Sequence, residues 1–250
     1  MKNASQAGFT LIEMMVGMVV SSIVMVGAYT LWHTHQTEGY RIGKKIELRD
    51  AMVLSSKRIQ RSITLAGFGL PGGANLAKSD ATGSDTLIVF TNPNETKSAL
   101  AADAVTGGGA MLRVVNPALF TGVSYVVVVT GNSGELRRII SRSADILYLE
   151  TDFASNHPML TSSAFPAMRE RFYTNQATNR LMRESGGNTI SVAASVKDFQ
   201  VIFRNSLGNI TTVPADVRTV QYSFTGIFPA EAGALNSVQF SSTAIPRNLL

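Results

Sequence analysis

Residues 14–32 form a run of nineteen residues without a single charged side chain. At a rise of about 1.5 Å per residue, a helix of this length matches the roughly 30 Å hydrocarbon core of a bilayer. The run can therefore span a membrane as one helix. Glu13 stands immediately before it, and a carboxylate near the centre of a bilayer costs about 2.5 to 3.5 kcal/mol. This unusual position makes Glu13 a candidate functional residue.

The run also fits three less specific interpretations. A secretory signal could be cleaved after Val26-Gly27-Ala28, where small residues follow an apolar region. The other two are a plain membrane anchor and a buried helix of a soluble protein. Lys2 is the one positive residue before the run, and Glu13 stands where the apolar region begins. A run of this length is also long for a buried helix. These features argue against the three less specific interpretations.

The residues around the start of the run form a motif. A short polar leader with one Lys ends at Gly8, and Phe-Thr-Leu-Ile-Glu follows at residues 9–13. This arrangement resembles the N-terminus of type IV pilins and pseudopilins. The resemblance implies that a membrane aspartic peptidase, the prepilin peptidase, cuts after Gly8 and methylates the new N-terminal residue, Phe9. Glu13 would then be the fifth residue of the mature chain.

The spacing of Phe9 and Glu13 gives the motif a physical meaning. In a helix the two residues are i and i+4 neighbours, so the Glu13 carboxylate can meet the amino group of its own chain. In a filament it can instead meet the amine of an adjacent subunit. Either pairing offsets the burial of two opposite charges, whereas one buried charge left alone costs several kcal/mol. The sequence leaves both pairings open and predicts that Glu13 acts in assembly.

Four further segments narrow the resemblance to the PilW-like minor pilins. They are residues 61–69, 85–87, 196–201 and 246–249. The resemblance implies a minor pilin, low in abundance, that helps to prime type IV pilus assembly at the filament tip. The J-class minor pseudopilins of type II secretion are similar in size and pattern. A membrane-tethered adhesin or DNA-binding module is a further alternative.

The same resemblance implies partners and a location. The partners are the prepilin peptidase, other minor and major pilins, an inner-membrane assembly platform and, before assembly, membrane lipid. The chain is expected to cross the inner membrane once, with its C-terminal domain extracytoplasmic, and later to enter a pilus or pseudopilus. The positive-inside rule favours the opposite orientation, because Lys2 stands against Arg41, Lys44, Lys45 and Arg49 on the other side of the run. We follow the resemblance, since long domains cross membranes largely regardless of charge.

The implied fold is α+β and pilin-like. A long N-terminal helix, membrane-spanning in its first half, packs on a C-terminal antiparallel β-sheet domain. We predict a leader peptide at residues 1–8, a helix at residues 9–66 with its membrane span at residues 9–32, and a β-rich extracytoplasmic domain at residues 67–250.

Periodic patterns predict the elements of this fold. Beyond the membrane, four apolar residues spaced 4, 7 and 4 apart define one face of a helix: Leu48, Met52, Ile59 and Ile63. Short apolar or β-branched runs predict strands at residues 86–91, 111–115, 124–129, 136–140 and 146–149. Alternation of apolar and polar residues predicts two more strands, each with one buried face, at residues 199–204 and 220–224. Residues 98–109, rich in Ala and Gly, are predicted to form a flexible loop.

Positive charge is concentrated just beyond the membrane. Residues 41–61 contain seven basic residues against only Glu47 and Asp50. A basic helix can bind the phosphate backbone of nucleic acid or anionic lipid headgroups. Tyr40 is the one nearby aromatic residue that could stack on a base, so a solvated face that meets acidic neighbours in an assembly is the simpler interpretation. Nucleic acid is therefore a possible but secondary partner.

Composition excludes several functions. The chain has no cysteine, so it can form no disulfide, thiolate metal site or cysteine nucleophile. A hydrophobic content of 45% and a charged content of 16% argue against a disordered protein. No cluster of acid, base and nucleophile is apparent in the sequence. We therefore expect neither an enzyme nor a bound cofactor.

Several local patterns resemble ligand sites without satisfying their chemistry. Residues 67–72 match a dinucleotide-binding fingerprint, but they follow a predicted helix and contain a proline. His33 and His35 are two apart, which places them on different faces of a helix and makes them poor joint metal ligands. Asp80 and Asp85 flank a loop that could bind calcium, although a solvated loop is the simpler interpretation. We predict no metal site.

Overall fold

The computed structural model describes residues 10–71, 76–79, 84–131, 133–230 and 234–247. One helix, α1 (Leu11–Thr64), contains 54 residues and passes from the predicted membrane span into the β domain without interruption. After it ends, Gly67 and Gly69 adopt positive φ angles of 75° and 67° and redirect the chain, as glycines commonly do after a helix. The predicted leader at residues 1–8 lies outside the described residues.

Thirteen strands and two 3-10 helices follow α1 in the described part of the chain. The first seven strands are β1 (Leu76–Ser79), β2 (Thr86–Thr91), β3 (Ser98–Ala99), β4 (Met111–Arg113), β5 (Tyr125–Thr130), β6 (Ser133–Ser143) and β7 (Ile146–Leu149). The other six are β8 (Ser162–Asn175), β9 (Arg180–Ser185), β10 (Asn188–Ala194), β11 (Val196–Arg204), β12 (Thr219–Pro229) and β13 (Leu235–Ala244). The 3-10 helices are Pro117–Phe120 and Pro214–Asp216.

The strands form two sheets in which every pair is antiparallel. The larger sheet has the order β1-β2-β8-β5-β6-β7-β4; β3 and β9 also pair with β8, and β10 pairs with β9. The smaller sheet has the order β11-β12-β13. This arrangement confirms the predicted α+β architecture of one long N-terminal helix and a C-terminal antiparallel β domain.

The second half of α1 packs on the smaller sheet through the predicted face. Leu48, Met52, Ile59 and Ile63 are all buried, so that prediction is confirmed. Alternate residues of β11 and β12 lie in the same hydrophobic cluster: Phe199, Val201, Phe203, Val220, Tyr222 and Phe224. These are the residues whose alternation predicts one buried face for each strand.

Two details keep helix and sheet close together. A Cβ atom added at Gly226 would lie 2.2 Å from Met52 Cε, so a residue without a side chain makes room for the helix. The Tyr222 hydroxyl donates to the Ser56 carbonyl at 3.0 Å and lies 2.9 Å from Ser56 Oγ. The buried hydroxyl therefore has partners, which avoids the cost of an unsatisfied polar group.

A second hydrophobic cluster fills an outer lobe made by residues 98–164. No residue of α1 belongs to this cluster. The predicted flexible loop at residues 98–109 is right only in part: residues 105–109 form an exposed loop, but β3 pairs with β8, and both Leu100 and Ala104 are buried in the lobe. The backbones of Ala104 and His157 also exchange hydrogen bonds of 3.0 and 2.7 Å. Some of the small apolar side chains of this segment pack in the core of the lobe. Composition alone does not distinguish a packed segment rich in Ala and Gly from a flexible one.

Gly69→Ala is expected to destabilise the protein more than Gly208→Ala. A Cβ atom at Gly69 would lie 2.3 Å from the carbonyl oxygen of Asn92, whereas nothing lies within 4 Å of a Cβ atom at Gly208. Both glycines have left-handed backbones, which alone cost other residues about 1–2 kcal/mol. Gly208→Ala should lose about that much and Gly69→Ala clearly more. Chemical denaturation measures the difference, and equal losses would contradict the close approach at Asn92.

Candidate functional site

The first half of α1 exposes its apolar side chains on all sides. Every residue from 11 to 40 is exposed, whereas burial of one face begins at Leu48. Among the described residues, α1 is the one helix long and apolar enough to cross a membrane. A helix that is apolar all round requires lipid or other apolar helices as its surroundings.

Hydroxyl groups within this half do not interrupt its apolar character. The serine and threonine hydroxyls of residues 14–32 donate to the carbonyl four residues earlier: Ser21 to Gly17 at 2.7 Å, Ser22 to Met18 at 2.8 Å, and Thr30 to Val26 at 2.8 Å. A helix satisfies its own backbone groups, and these bonds satisfy the side chains as well. The segment therefore presents few unsatisfied polar groups to an apolar environment.

Glu13 lies in the first turn of α1 and forms a reciprocal cap with Thr10. The Glu13 N–H donates to Thr10 Oγ1 at 3.3 Å, and Glu13 Oε2 accepts from the Thr10 N–H at 2.9 Å. The Thr10 hydroxyl lies 3.0 Å from the same carboxylate oxygen. A Thr followed three residues later by Glu is a capping box, which satisfies free N–H groups at a helix start. This signal is readable in the sequence, although the cap was not among the features predicted from it.

The other predicted processing residues, Gly8 and Phe9, lie outside the described residues. The predicted pairing of Glu13 with the Phe9 amine, of its own chain or of a neighbour, thus remains a prediction. The side chain it requires lies at the exposed start of α1. Within the described part of the chain, Thr10 is the residue that hydrogen-bonds to the Glu13 carboxylate, and this leaves acceptor capacity on the carboxylate.

The comparison with protein families addresses this segment directly. Residues 3–29 match the family described as the prokaryotic N-terminal methylation motif. The match supports a type IV pilin-like prepilin. The motif together with the single apolar helix is consistent with a single-pass, membrane-anchored pilin or pseudopilin. No curated protein and no solved structure matches the chain significantly.

Residues 41–61 of this pilin-like chain carry the basic face predicted from the sequence. Arg41 pairs with Glu38 at 2.7 Å and Lys44 with Glu47 at 2.8 Å, so acidic neighbours on the helix neutralise part of the charge. These exposed pairs contribute little to stability. They do reduce the positive field that nucleic acid would require, which favours the interpretation as a solvated face.

The local patterns that resemble ligand sites have structural roles in the pilin-like chain. The Gly67 N–H donates to the Phe90 carbonyl at 2.9 Å, so it is not available to a phosphate. Asp85 is buried, lies 3.3 Å from Lys78 Nζ and accepts from the Val201 N–H at 2.7 Å. Asp80, its proposed calcium partner, lies outside the described residues. Within the described ranges, no group of three or more His, Asp or Glu side chains could hold a metal ion.

One polar cluster in the outer lobe was not apparent from the sequence. The Thr130 hydroxyl lies 2.8 Å from His157 Nδ1 and 2.6 Å from Ser162 Oγ. His157 Nε2 lies 3.3 Å from Glu135 Oε1, but among the described residues this nitrogen has no hydrogen-bond partner, so the contact lacks hydrogen-bond geometry. A hydroxyl, an imidazole and a carboxylate in this order can activate a nucleophile. Here His157 is only 1% exposed, and the Thr130 hydroxyl is shared with Ser162. The cluster therefore braces the lobe, and its wide sequence separation explains why no motif predicts it.

Glu135 fixes the loop that carries His157. Its carboxylate accepts from the N–H groups of Ala154 at 2.9 Å and Ser155 at 2.8 Å, from the Ser155 hydroxyl, and from the Arg137 guanidinium. Burial alone would raise the pKa of Glu135, but these donors outweigh it and hold the pKa below its ordinary value. The ionised carboxylate is thus the form that the folded lobe prefers.

Glu135→Gln is expected to flatten the acid side of the stability profile. Because the pKa of Glu135 is lower in the folded state, its contribution is present above the ordinary carboxyl pKa of about 4.3 and is lost as pH falls through the folded value. At neutral pH the variant should lose about 1–3 kcal/mol. Glu150, paired with Arg138 at 3.3 Å and half exposed, provides the control Glu150→Gln, which should change stability by less than about 0.5 kcal/mol. Denaturation at several pH values checks both, and similar profiles would contradict the assignment.

Proposed function

We propose that this chain is a minor pilin that helps to prime type IV pilus assembly. In this proposal its role is structural, and it catalyses no reaction. The observation that carries the proposal is the N-terminal methylation motif placed at the start of an apolar helix that is continuous with a β domain. A secretory signal would be removed with its apolar region, whereas cleavage after Gly8 retains the helix. The helix is then available first as an anchor and later as a packing element.

The proposed mechanism uses each half of α1 differently. Prepilin peptidase removes residues 1–8 and methylates Phe9, and the chain waits in the inner membrane with its β domain outside. On assembly, residues 14–32 leave the lipid and pack against the helices of other pilins. Glu13 then sets the register, because an amine is the group that satisfies its carboxylate in apolar surroundings. The second half of α1 stays fixed to the smaller sheet and carries the domain to the filament tip.

The minor-pilin assignment draws further support from the contacts between the segments that resemble PilW-like proteins. Ser84 and Asp85 hydrogen-bond with β11, since the Asp85 N–H donates to the Phe199 carbonyl at 2.7 Å. The Arg247 N–H donates to the Thr64 carbonyl at 3.3 Å, near the end of α1. Segments far apart in sequence thus meet in two pairs, residues 85–87 with 196–201 and residues 61–69 with 246–249.

A J-class minor pseudopilin is the second candidate, because pseudopilins carry the same kind of N-terminal motif. Both proposals imply the same processing, the same membrane anchor and partners of the pilin class. They differ in whether the protein belongs to a type IV pilus or to a type II secretion system. Deletion of the protein in its native host separates them: loss of pili favours the first candidate, and loss of type II secretion favours the second.

The N-terminal mass of the protein recovered from native membranes tests the proposal most directly. We expect a mature chain that starts at Phe9 and carries one added methyl group. A chain with an intact Met1, or one that starts after Ala28, would overturn the proposed processing. The β domain would then belong to an anchored or secreted binding module.

A further inference from the structure

Strand β13 forms an open edge of the smaller sheet. Its ten residues pair with β12 from Leu235 to Ala244, without a register shift. Among the described residues, no backbone–backbone hydrogen bond other than those to β12 involves residues 235–244. In an antiparallel strand, about half of the residues direct their N–H and C=O groups away from the partner. About five of the ten residues of β13 therefore present N–H and C=O groups that β12 does not pair.

The opposite edge of the same sheet is closed. On β11, the Phe199 carbonyl accepts from the Asp85 N–H at 2.7 Å, and the Val201 N–H donates to Asp85 Oδ2 at 2.7 Å. The Phe203 carbonyl accepts from the Thr211 N–H at 3.0 Å. In the described part of the larger sheet, the terminal strands β1 and β4 contain only four and three residues. β10 is a further edge strand, of seven residues, but its pairing with β9 is interrupted by a register shift between Ser191 and Ala193, and its Val192 carbonyl accepts from the Ser55 hydroxyl. β13 is therefore the longer edge and keeps an unbroken register.

The composition of β13 lacks the features that usually protect an edge strand. Such strands are commonly short, charged, interrupted by proline or bent by a bulge. Residues 235–244 contain no charged residue and no proline, and they follow β12 in unbroken register. Val238 and Phe240 point to the core, whereas Ser237, Gln239 and Ser241 are exposed. The strand is a suitable template for another extended segment.

An apolar strip on α1 lies beside this edge. Ile42 and Lys45 line a groove together with Asn236 of β13, and at the other end the Arg247 N–H bonds to Thr64. The helix therefore runs alongside β13 in the same direction. Ile42, Ile46 and Val53 share one helical face, and their side chains are 56%, 55% and 36% exposed. Ile42 lines the groove beside β13, so a strand added to this edge would approach that end of the helical face.

A second copy of the chain does not fit this surface. Symmetric antiparallel pairing of two β13 edges requires a two-fold axis perpendicular to the sheet, which reverses the direction of α1. The two apolar helices would then point away from each other and could not enter one membrane. Head-to-tail pairing within the smaller sheet would require the edge of β11, which Asp85 and Thr211 cover. The geometry of the smaller sheet therefore favours a different polypeptide over a second copy.

We infer that β13 accepts an extended segment of a different pilin-like subunit as a fourth strand of the smaller sheet. This inference rests on the proposed function, which brings several kinds of pilin together with parallel helices. The apolar strip continues from the exposed half of α1, which such an assembly must cover, so one partner can contact both. The segment should be uncharged, with apolar residues at alternate positions facing Ile42, Ile46 and Val53 and small polar residues on the other side.

Site-specific cross-linking in native membranes tests the inference. The chain has no cysteine, so Ser237→Cys in the full-length protein can be labelled with a maleimide-benzophenone at one position. We expect an adduct with a different pilin-like subunit, mapped to an extended uncharged segment. Thr189→Cys, exposed on β10 of the larger sheet, is the matched control and should not give this adduct. Adding Ser241→Lys to the Ser237→Cys chain places a charge on the edge and should reduce the adduct by about fivefold or more.

Hydrogen exchange provides a second readout that does not depend on the lysine substitution. In the purified complex, alternate amides of residues 235–244 should exchange at least about tenfold more slowly than in the isolated full chain. An adduct with a second copy, an adduct with lipid alone, or unchanged exchange would overturn the inference. A chain that starts at methylated Phe9 but gives no strand adduct overturns this inference and leaves the proposed function intact. An intact Met1 overturns the proposed function itself.

Discussion

Glu13→Ala is expected to leave the protein processed and membrane-bound but to reduce its incorporation into filaments by about tenfold or more. In lipid, the start of α1 lies near the interface, where water can hydrate the free amine of Phe9. In a filament, the amine would be buried beside apolar helices, and a buried charge without its partner costs about 3–5 kcal/mol. That penalty applies only after assembly, so anchoring should survive the substitution. Quantitative immunoblotting of membranes and of sheared filaments measures the two populations.

The cap at Thr10 provides the control for this experiment. Glu13→Ala also removes the carboxylate that accepts from the Thr10 N–H, and loss of a helix cap costs about 1 kcal/mol. Thr10→Ala removes the hydroxyl that accepts from the Glu13 N–H but keeps the carboxylate. If Glu13 acts in assembly, Thr10→Ala should incorporate nearly normally. If the two variants fail equally, Glu13 serves as a cap alone, and normal incorporation of Glu13→Ala would refute its role in setting the register.

Elements that depend on local patterns were predictable from the sequence. The apolar run and the face made by Leu48, Met52, Ile59 and Ile63 follow helical spacing, and the structure confirms both the helix and the burial of that face. The buried faces of β11 and β12 follow from alternation in the same way. In these segments, the side chains that determine the element are neighbours in the sequence, so one window contains the whole signal.

The longest strand, β8, was missed because its stability depends on distant partners. It contains Pro166 and the charged run Arg169-Glu170-Arg171, which obscure the alternation expected of a strand. Pro166 is tolerated because β3 pairs with residues 163–164 and β2 with residues 168–173, which leaves the proline between them on that side.

The charged residues of β8 are matched across the neighbouring strand. Arg169 and Arg171 pair with Glu184, and Glu170 pairs with Arg183, both partners lying on β9. Opposite charges on adjacent strands stabilise a sheet, but a sequence window that contains β8 alone shows only a polar segment. The candidate site divides in the same way, because the Thr10–Glu13 cap is local and readable, whereas the Glu135–His157 cluster joins elements that only the fold brings together.

Phe224→Ala is expected to destabilise the domain by about 3–5 kcal/mol, the usual range for removing a buried phenyl ring from a core. Phe224 is 1% exposed and lies between two other rings, with centroid distances of 5.5 Å to Phe199 and 6.0 Å to Phe240. Tyr222 is a third neighbour at 5.7 Å. Truncation would remove these contacts and leave a cavity beneath α1, where the helix side chains cannot collapse without moving the whole helix.

A loss of this size is a large part of the 5–15 kcal/mol by which domains are typically stable. Denaturation of the full chain in detergent, followed by near-ultraviolet circular dichroism of its aromatic residues, measures it. Leu207→Ala, at a side chain 82% exposed, is the control and should change stability by less than about 0.5 kcal/mol. Since the methylation motif and the exposed half of α1 lie far from Phe224, the variant should still be cleaved and methylated at Phe9. A loss below about 1 kcal/mol would mean that α1 and the smaller sheet do not share one core.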